Sequence, residues 1–154
     1  MTKRAFFSFH YKGDRWRAAQ VRNIGVVDGG QVVEDNGWET SRLDKASIDR
    51  WIRKQMAGKS AVIVLVGKDT WSRPWIRKEI ELARDLGKKI YGIRIHKLKD
   101  ENGKTSSRGK NPFDYVMDKD GCPLSESVHL FDPKGKTSSE VYRQIADQLS
   151  EWFC

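Results

Sequence analysis

Apolar residues along this chain fall into two patterns, short continuous runs and longer stretches in which they recur every three or four positions. The runs are RAFFSFHY (4–11), SAVIVLVG (60–67) and KKIYGIRI (88–95). A run without polar alternation fits a strand covered on both faces, as in parallel sheets. Between the runs lie helical patterns. Residues 14–24 align Trp16, Ala19 and Ile24, with Asp14 as a plausible cap. In 43–57, Ile48, Trp51, Ile52, Gln55 and Met56 share a face, and Gly58 follows. A short strand is expected at 25–27, and SVHLF (127–131) as the last strand. Thr137 and Glu140 have capping-box spacing before a stripe of Val141, Ile145, Leu149 and Trp152, which predicts a closing helix. Residues 28–43, with three glycines and Trp38, and residues 97–126 read as loop-rich insertions in one domain spanning 1–154.

Strands alternating with helices predict an α/β fold, a parallel sheet with helices on both faces. Ligands in such folds bind outside the carboxyl ends of the strands. The first run then delivers Ser8, His10 and Tyr11 to that edge, and the segment after the second delivers Asp69, Trp71, Trp75 and Glu79.

Glu79 stands out in the helical stretch WIRKEIELARDLGKKI (75–90). At about 100° per residue it falls on one arc with Trp75, Ile76, Ile80, Leu82, Ala83 and Leu86. Arg77, Lys78, Glu81, Arg84 and Asp85 project to the opposite side, where water solvates them. An acid early in a helix can simply answer the exposed N–H groups and the helix dipole. A carboxylate on an apolar face can instead open into a cleft, because burying a charge unpaired is costly.

Composition narrows the field. With 38% hydrophobic and 32% charged residues the chain has the make-up of a soluble globular domain. No apolar run approaches a membrane span and the amino-terminal run is too short for a secretory signal, so a cytosolic location is expected. Cys122 and Cys154 have neither metal-ligand nor disulfide-framework spacing. His96 and His129 have no partners at ligand spacing, so no metal is expected. The net charge of +8 is local: residues 86–110 carry eight Lys/Arg against two acids, and residues 111–154 carry four against eight. The basic loop HKLKDENGKTSSRGK lacks interleaved aromatics, which argues against a nucleic-acid partner.

FFSFHY, WIRKEI and NPFDY, in this order, resemble the first box and the W-x-x-x-E helix of TIR domains, and are similar to the TIR-like ThsB family of bacterial Thoeris anti-phage systems. The likeness covers about residues 3 to 116. It implies a flavodoxin-like fold, with Glu79 as the catalytic glutamate that cleaves NAD at its nicotinamide glycosidic bond, and Trp75 as its tryptophan. It also implies NAD as a substrate rather than a cofactor, a nucleotide messenger, a separate effector protein, and assembly into a homo-oligomer. His10 stands where many TIR domains have arginine, so phosphate contacts do not carry over.

The residue chemistry stands beside this resemblance. Loss of nicotinamide leaves a ribosyl cation like that of glycoside hydrolysis, which a nearby carboxylate stabilises. Nicotinamide departs neutral, so a strong general acid is not required. Trp75 reads as a ring packed on the substrate or as a core residue. His10 could donate to a phosphate and Tyr11 offer a ring contact. Ser8 reads as a substrate donor or as a backbone-satisfying strand residue, and Trp38 as a lid residue or a loop anchor. The alternative to an enzyme is a non-catalytic TIR-type interaction module, with Glu79 and the basic loop as a docking surface.

Overall fold

The computed structural model describes residues 3–29 and 44–154. Their elements are β1 (Ala5–Ser8), α1 (Tyr11–Arg22), α2 (Lys45–Met56), β2 (Ala61–Val66), α3 (Pro74–Asp85), β3 (Lys89–Arg94), β4 (Leu130–Phe131) and α4 (Ser138–Phe153). The strands form one parallel sheet in the order β1-β2-β3-β4, with Ser8 opposite Val64 and Arg94 opposite Val66.

Each face of the sheet is covered. β2 is buried along its whole length, and its alternate residues feed two cores. Ala61, Ile63 and Leu65 pack with Ala18 and Val21 of α1 and with Val141, Ile145, Leu149 and Phe153 of α4. Val62, Val64 and Val66 pack with Ile48, Ile52 and Met56 of α2 and with Ile76, Ile80, Leu82 and Ala83 of α3. The period of two in the strands and of about 3.6 in the helices meets in both layers.

The first run ends sooner as a strand than its composition suggests. The carbonyl of His10 accepts from Asp14 N at 2.9 Å, so α1 begins at Tyr11, and the apolar character continues through Phe9 because that residue joins the α1/α4 core. Asp14 is not the cap; His10 holds that position. The buried face of α1 is therefore Asp14, Arg17, Ala18 and Val21, and Trp16 is 53% exposed. The expected strand at 25–27 is reduced to a single bridge between Arg4 and Asp28.

Two other boundaries, and two details of the closing helix, differ for local reasons. Helix α3 stops at Asp85 and Gly87 takes φ +68°, so Leu86 lies outside the apolar arc and is exposed. The last strand loses its first three expected residues, because Ser127 and Val128 donate to the Leu124 carbonyl in a 3-10 turn. In α4, Phe153 takes the buried position expected of Trp152, which is half-buried against Tyr91 at 4.5 Å between ring centres. The capping box is a variant: Thr137 Oγ1 accepts from Glu140 N, while the Glu140 carboxylate accepts from Lys136 N at 2.7 Å.

Candidate functional site

Asp28 pairs with the edge of β1 that β2 does not use: Ala5 N donates to Asp28 O at 3.0 Å, while the Arg4 carbonyl accepts from Ser60 N on the other side. The chain thus leaves β1 toward one side of the sheet and later crosses to build β2 on the other. In open parallel sheets such a reversal marks the crevice where ligands bind, here at the carboxyl ends of β1 and β2. The residues that border it are His10 and Tyr11 after β1, and Gly67 after β2.

Two glycines admit site side chains there. A β-carbon on Gly13 would stand 2.8 Å from His10 Nδ1, so the imidazole folds onto the first turn of α1. A β-carbon on Gly67 would collide with the carboxylate of Asp14. Gly67 N donates to Thr70 Oγ1 at 2.8 Å, which turns the chain into the short helix Thr70–Ser72 ahead of α3.

Asp14 is the site residue that the sequence pattern did not single out. It is 4% exposed, and Arg17 Nη1 pairs with its Oδ1 at 3.1 Å. Burial pushes its pKa above the ordinary 3.8, against the opposing pull of Arg17 and of His10. Arg17 also donates to the carbonyls of Leu98 and Lys104, both at 2.8 Å, and approaches Asp100 at 3.8 Å. The pair thus ties the start of α1 to the end of β2 and to the loop beyond β3. An Asp and an Arg at i,i+3 were visible in the sequence, but that spacing usually marks a solvated surface pair.

The expected site residues separate into groups. Ser8 is fully buried and shares strand parity with Phe6, so it faces the α2/α3 layer; its Oγ has no hydrogen-bond partner among the described residues. Glu79 lies in the same layer on α3 and is 1% exposed. His10 is 9% exposed at the head of α1. Tyr11 is half-buried and turned the other way, against the α1/α4 core, with its ring centre 6.4 Å from that of Phe9. Trp75 packs on the α2/α3 core and lines a cleft of about 590 Å³ with Lys45, Asp49, Arg50 and Lys78. Trp38 lies outside the described residues.

The cleft between the first turns of α2 and α3 is bordered by Trp75 but not by Glu79, one turn further along. The glutamate is not part of that lining; it is buried together with Ile76, Ile80 and Ala83 of the same helix. Glu81 is half-buried rather than fully solvated.

The NPFDY stretch has a structural task. Asn111 Oδ1 accepts from Phe113 N at 2.9 Å, and Phe113 is fully buried over Gly92 of β3, where a β-carbon would stand 2.6 Å from its ring. Tyr115 stacks near Trp71 at 5.6 Å, and Arg77 of α3 lies 4.8 Å from the Tyr115 ring centre. The segment thereby braces the amino-terminal half of the helix that carries Glu79.

Among the described residues no helix is long and apolar enough to cross a membrane.

Comparison with known proteins agrees with this architecture. Residues 6–100 match the family described as "Thoeris protein ThsB, TIR-like domain". The chain is 35% identical over 155 aligned positions to the "Putative cyclic ADP-D-ribose synthase ThsB1" of Bacillus cereus (strain MSX-D12), an alignment covering 95% of this chain and 78% of the relative. The matched residues run from β1 through α3 and β3 and include Ser8, His10, Trp75 and Glu79. With its flavodoxin-like parallel sheet and its W-x-x-x-E helix, the chain belongs to the ThsB family of TIR-like domains from Thoeris systems.

Proposed function

We propose that this protein processes NAD, cleaving the bond between nicotinamide and ribose and producing a cyclic form of ADP-ribose. The observation that carries this reading is the Glu79 carboxylate, 1% exposed on the apolar face of α3, in a chain of this family. The cyclic product follows the name of the Bacillus cereus relative.

As nicotinamide leaves, positive charge develops on the anomeric carbon and the ring oxygen of the ribose. A carboxylate held out of bulk water stabilises that charge far better than one in solvent, because little dielectric screening intervenes. Glu79 supplies this carboxylate. Ser8, on the same layer with an uncommitted hydroxyl, donates to a ribose hydroxyl. His10, at the head of α1, faces the pyrophosphate. Trp75, one helical turn before Glu79, packs against the sugar or the nicotinamide ring. The cation is then captured by a nucleophile of the same molecule, which closes the ring and avoids loss to water.

The product acts on a separate effector protein as a messenger. An interaction module without chemistry is the competing reading. It is disfavoured because a docking acid belongs among solvated charges, whereas Glu79 is buried among apolar neighbours.

The test is mass spectrometry of nucleotides from cells that express the wild type or Glu79→Gln, with and without phage infection. The expected result is a nicotinamide-free nucleotide isomer of lower mass than NAD in the wild type, lost in a variant whose circular dichroism is unchanged. Undiminished product in Glu79→Gln would overturn the assignment of the glutamate.

A further inference from the structure

A second, strongly polar cleft lies beyond the carboxyl end of β3. It has a volume of about 330 Å³, and its lining includes Arg94, Arg108, Asn111, Glu126 and His129.

Arg94 is the last residue of β3 and is 6% exposed. Its Nη1 donates to the carbonyls of Arg108 at 2.9 Å and Gly109 at 3.0 Å. Its Nε and Nη2 make no hydrogen bond or ion pair among the described residues, although both are strong donors. Asp132, the acid that most influences it, commits Oδ2 to Arg108 at 3.2 Å and to Lys134 at 3.3 Å, while its buried Oδ1 has no hydrogen-bond partner among the described residues. Burial and the neighbouring Arg108 charge push the Arg94 pKa down. Among the described residues no carboxylate touches Arg94 directly, although Asp132 and Asp114 act on it through space, and its unused nitrogens are left to face the cleft beside Arg108, which is itself paired with Asp132.

The remaining polar groups suit an oxyanion. Asn111 spends its carbonyl oxygen on Phe113 N, which leaves its amide hydrogens as donors. Glu126, which is exposed, is the acid of the lining, and Asp132 answers Arg108 from beside it, so the attraction for an anion rests on the unused donors of Arg94 and Asn111. A phosphoryl group presents several oxygens to these donors and matches the planar fork of arginine with paired, charge-assisted bonds.

We propose that the Arg94–Arg108 cleft is a binding site for a phosphoryl group, carried by inorganic pyrophosphate or by the pyrophosphate of a nucleotide. The site does not depend on Glu79, and the reading of Glu79 can fail without affecting it.

Calorimetric titration of the Glu79→Gln protein with inorganic pyrophosphate and, separately, with ADP-ribose tests this, since neither ligand is then turned over. Arg108→Gln in the same background removes one guanidinium that holds no main-chain carbonyl, so the fold survives; Arg94→Gln is the second variant. Saturable pyrophosphate binding that weakens about tenfold or more in Arg108→Gln supports the site. Tighter binding of ADP-ribose, with the same loss in Arg108→Gln, assigns the phosphoryl group to a nucleotide; equal binding assigns it to the inorganic ion. Absence of binding, or binding unchanged in both arginine variants, overturns the proposal. Binding of ADP-ribose that falls in Trp75→Ala but not in Arg108→Gln overturns it as well, by placing the pyrophosphate elsewhere.

Discussion

The carboxylate of Asp14, in the first turn of α1, rests directly on Gly67, the residue that follows β2, so that no side chain fits at position 67. This contact joins the two strand ends that border the crevice, and a change at either residue is transmitted to the other.

Gly67→Ala should therefore cost about 1–3 kcal/mol, the usual range for forcing volume into a packed site. Urea unfolding measures it. In the Asp14→Ala background the same substitution should cost much less, because the obstructing carboxylate is gone, and the double-mutant cycle reports the coupling.

Arg17→Gln should be worse than a typical surface change, by about 3–5 kcal/mol, because it strands a buried carboxylate. It also deprives the Leu98 and Lys104 carbonyls of their shared donor. The loop beyond β3 should lose amide hydrogen-exchange protection before the rest of the sheet. Uniform loss across the sheet would show that the pair does not anchor that loop.

Glu81→Gln serves as the control for Glu79→Gln. The two acids are on one helix, but Glu81 is half-buried on the other side of the arc, and nothing there marks it for chemistry. Product formation from NAD should stay within about twofold of the wild type, a difference under 0.5 kcal/mol in barrier height. A loss comparable to that of Glu79→Gln would mean that the opposite face of α3 meets the substrate.

His96 gives the fold a pH dependence. It is 6% exposed, its Nδ1 has no hydrogen-bond partner among the described residues, and burial lowers its pKa from 6.5, with Asp132 pulling the other way. The folded state therefore binds this proton less readily than the unfolded state does. Its contribution to stability is complete above pH 6.5 and is lost as the pH falls through the lowered folded value. Thermal unfolding followed from pH 7.5 downward should show this loss, and His96→Gln should flatten it. An unchanged pH profile in the variant would assign the loss to other groups.

Much of the candidate site was legible as a list of residues but not as a set of contacts. The apolar arc of α3 put Glu79 beside Ile76, Ile80 and Ala83, and all four are buried. The runs at 60–67 and 88–95 became β2 and β3 almost unchanged: β2 is buried throughout and offers no polar residue to disguise its limits, and β3 keeps its apolar residues between Lys89 and Arg94. The first run misled for the same reason: Phe9 remains apolar whether it ends a strand or anchors a helix, so His10 and Tyr11 were read as strand residues. Tyr11 turned to the α1/α4 core, and no periodicity within eight residues could have told which way it would go.

The chain's own order of residues determined its class, its layers and the helix that carries the glutamate, since those follow from periodic burial within single segments. Tertiary structure alone decided that Asp14 and Arg17 would be buried as a pair, that Gly67 must lack a side chain, and that Arg94 would be held by main-chain carbonyls at a polar cleft. Those outcomes depend on groups 14 to 87 positions apart in the chain meeting in space. A charge is tolerated in the interior only where such a distant partner arrives, and local spacing carries no record of that arrival.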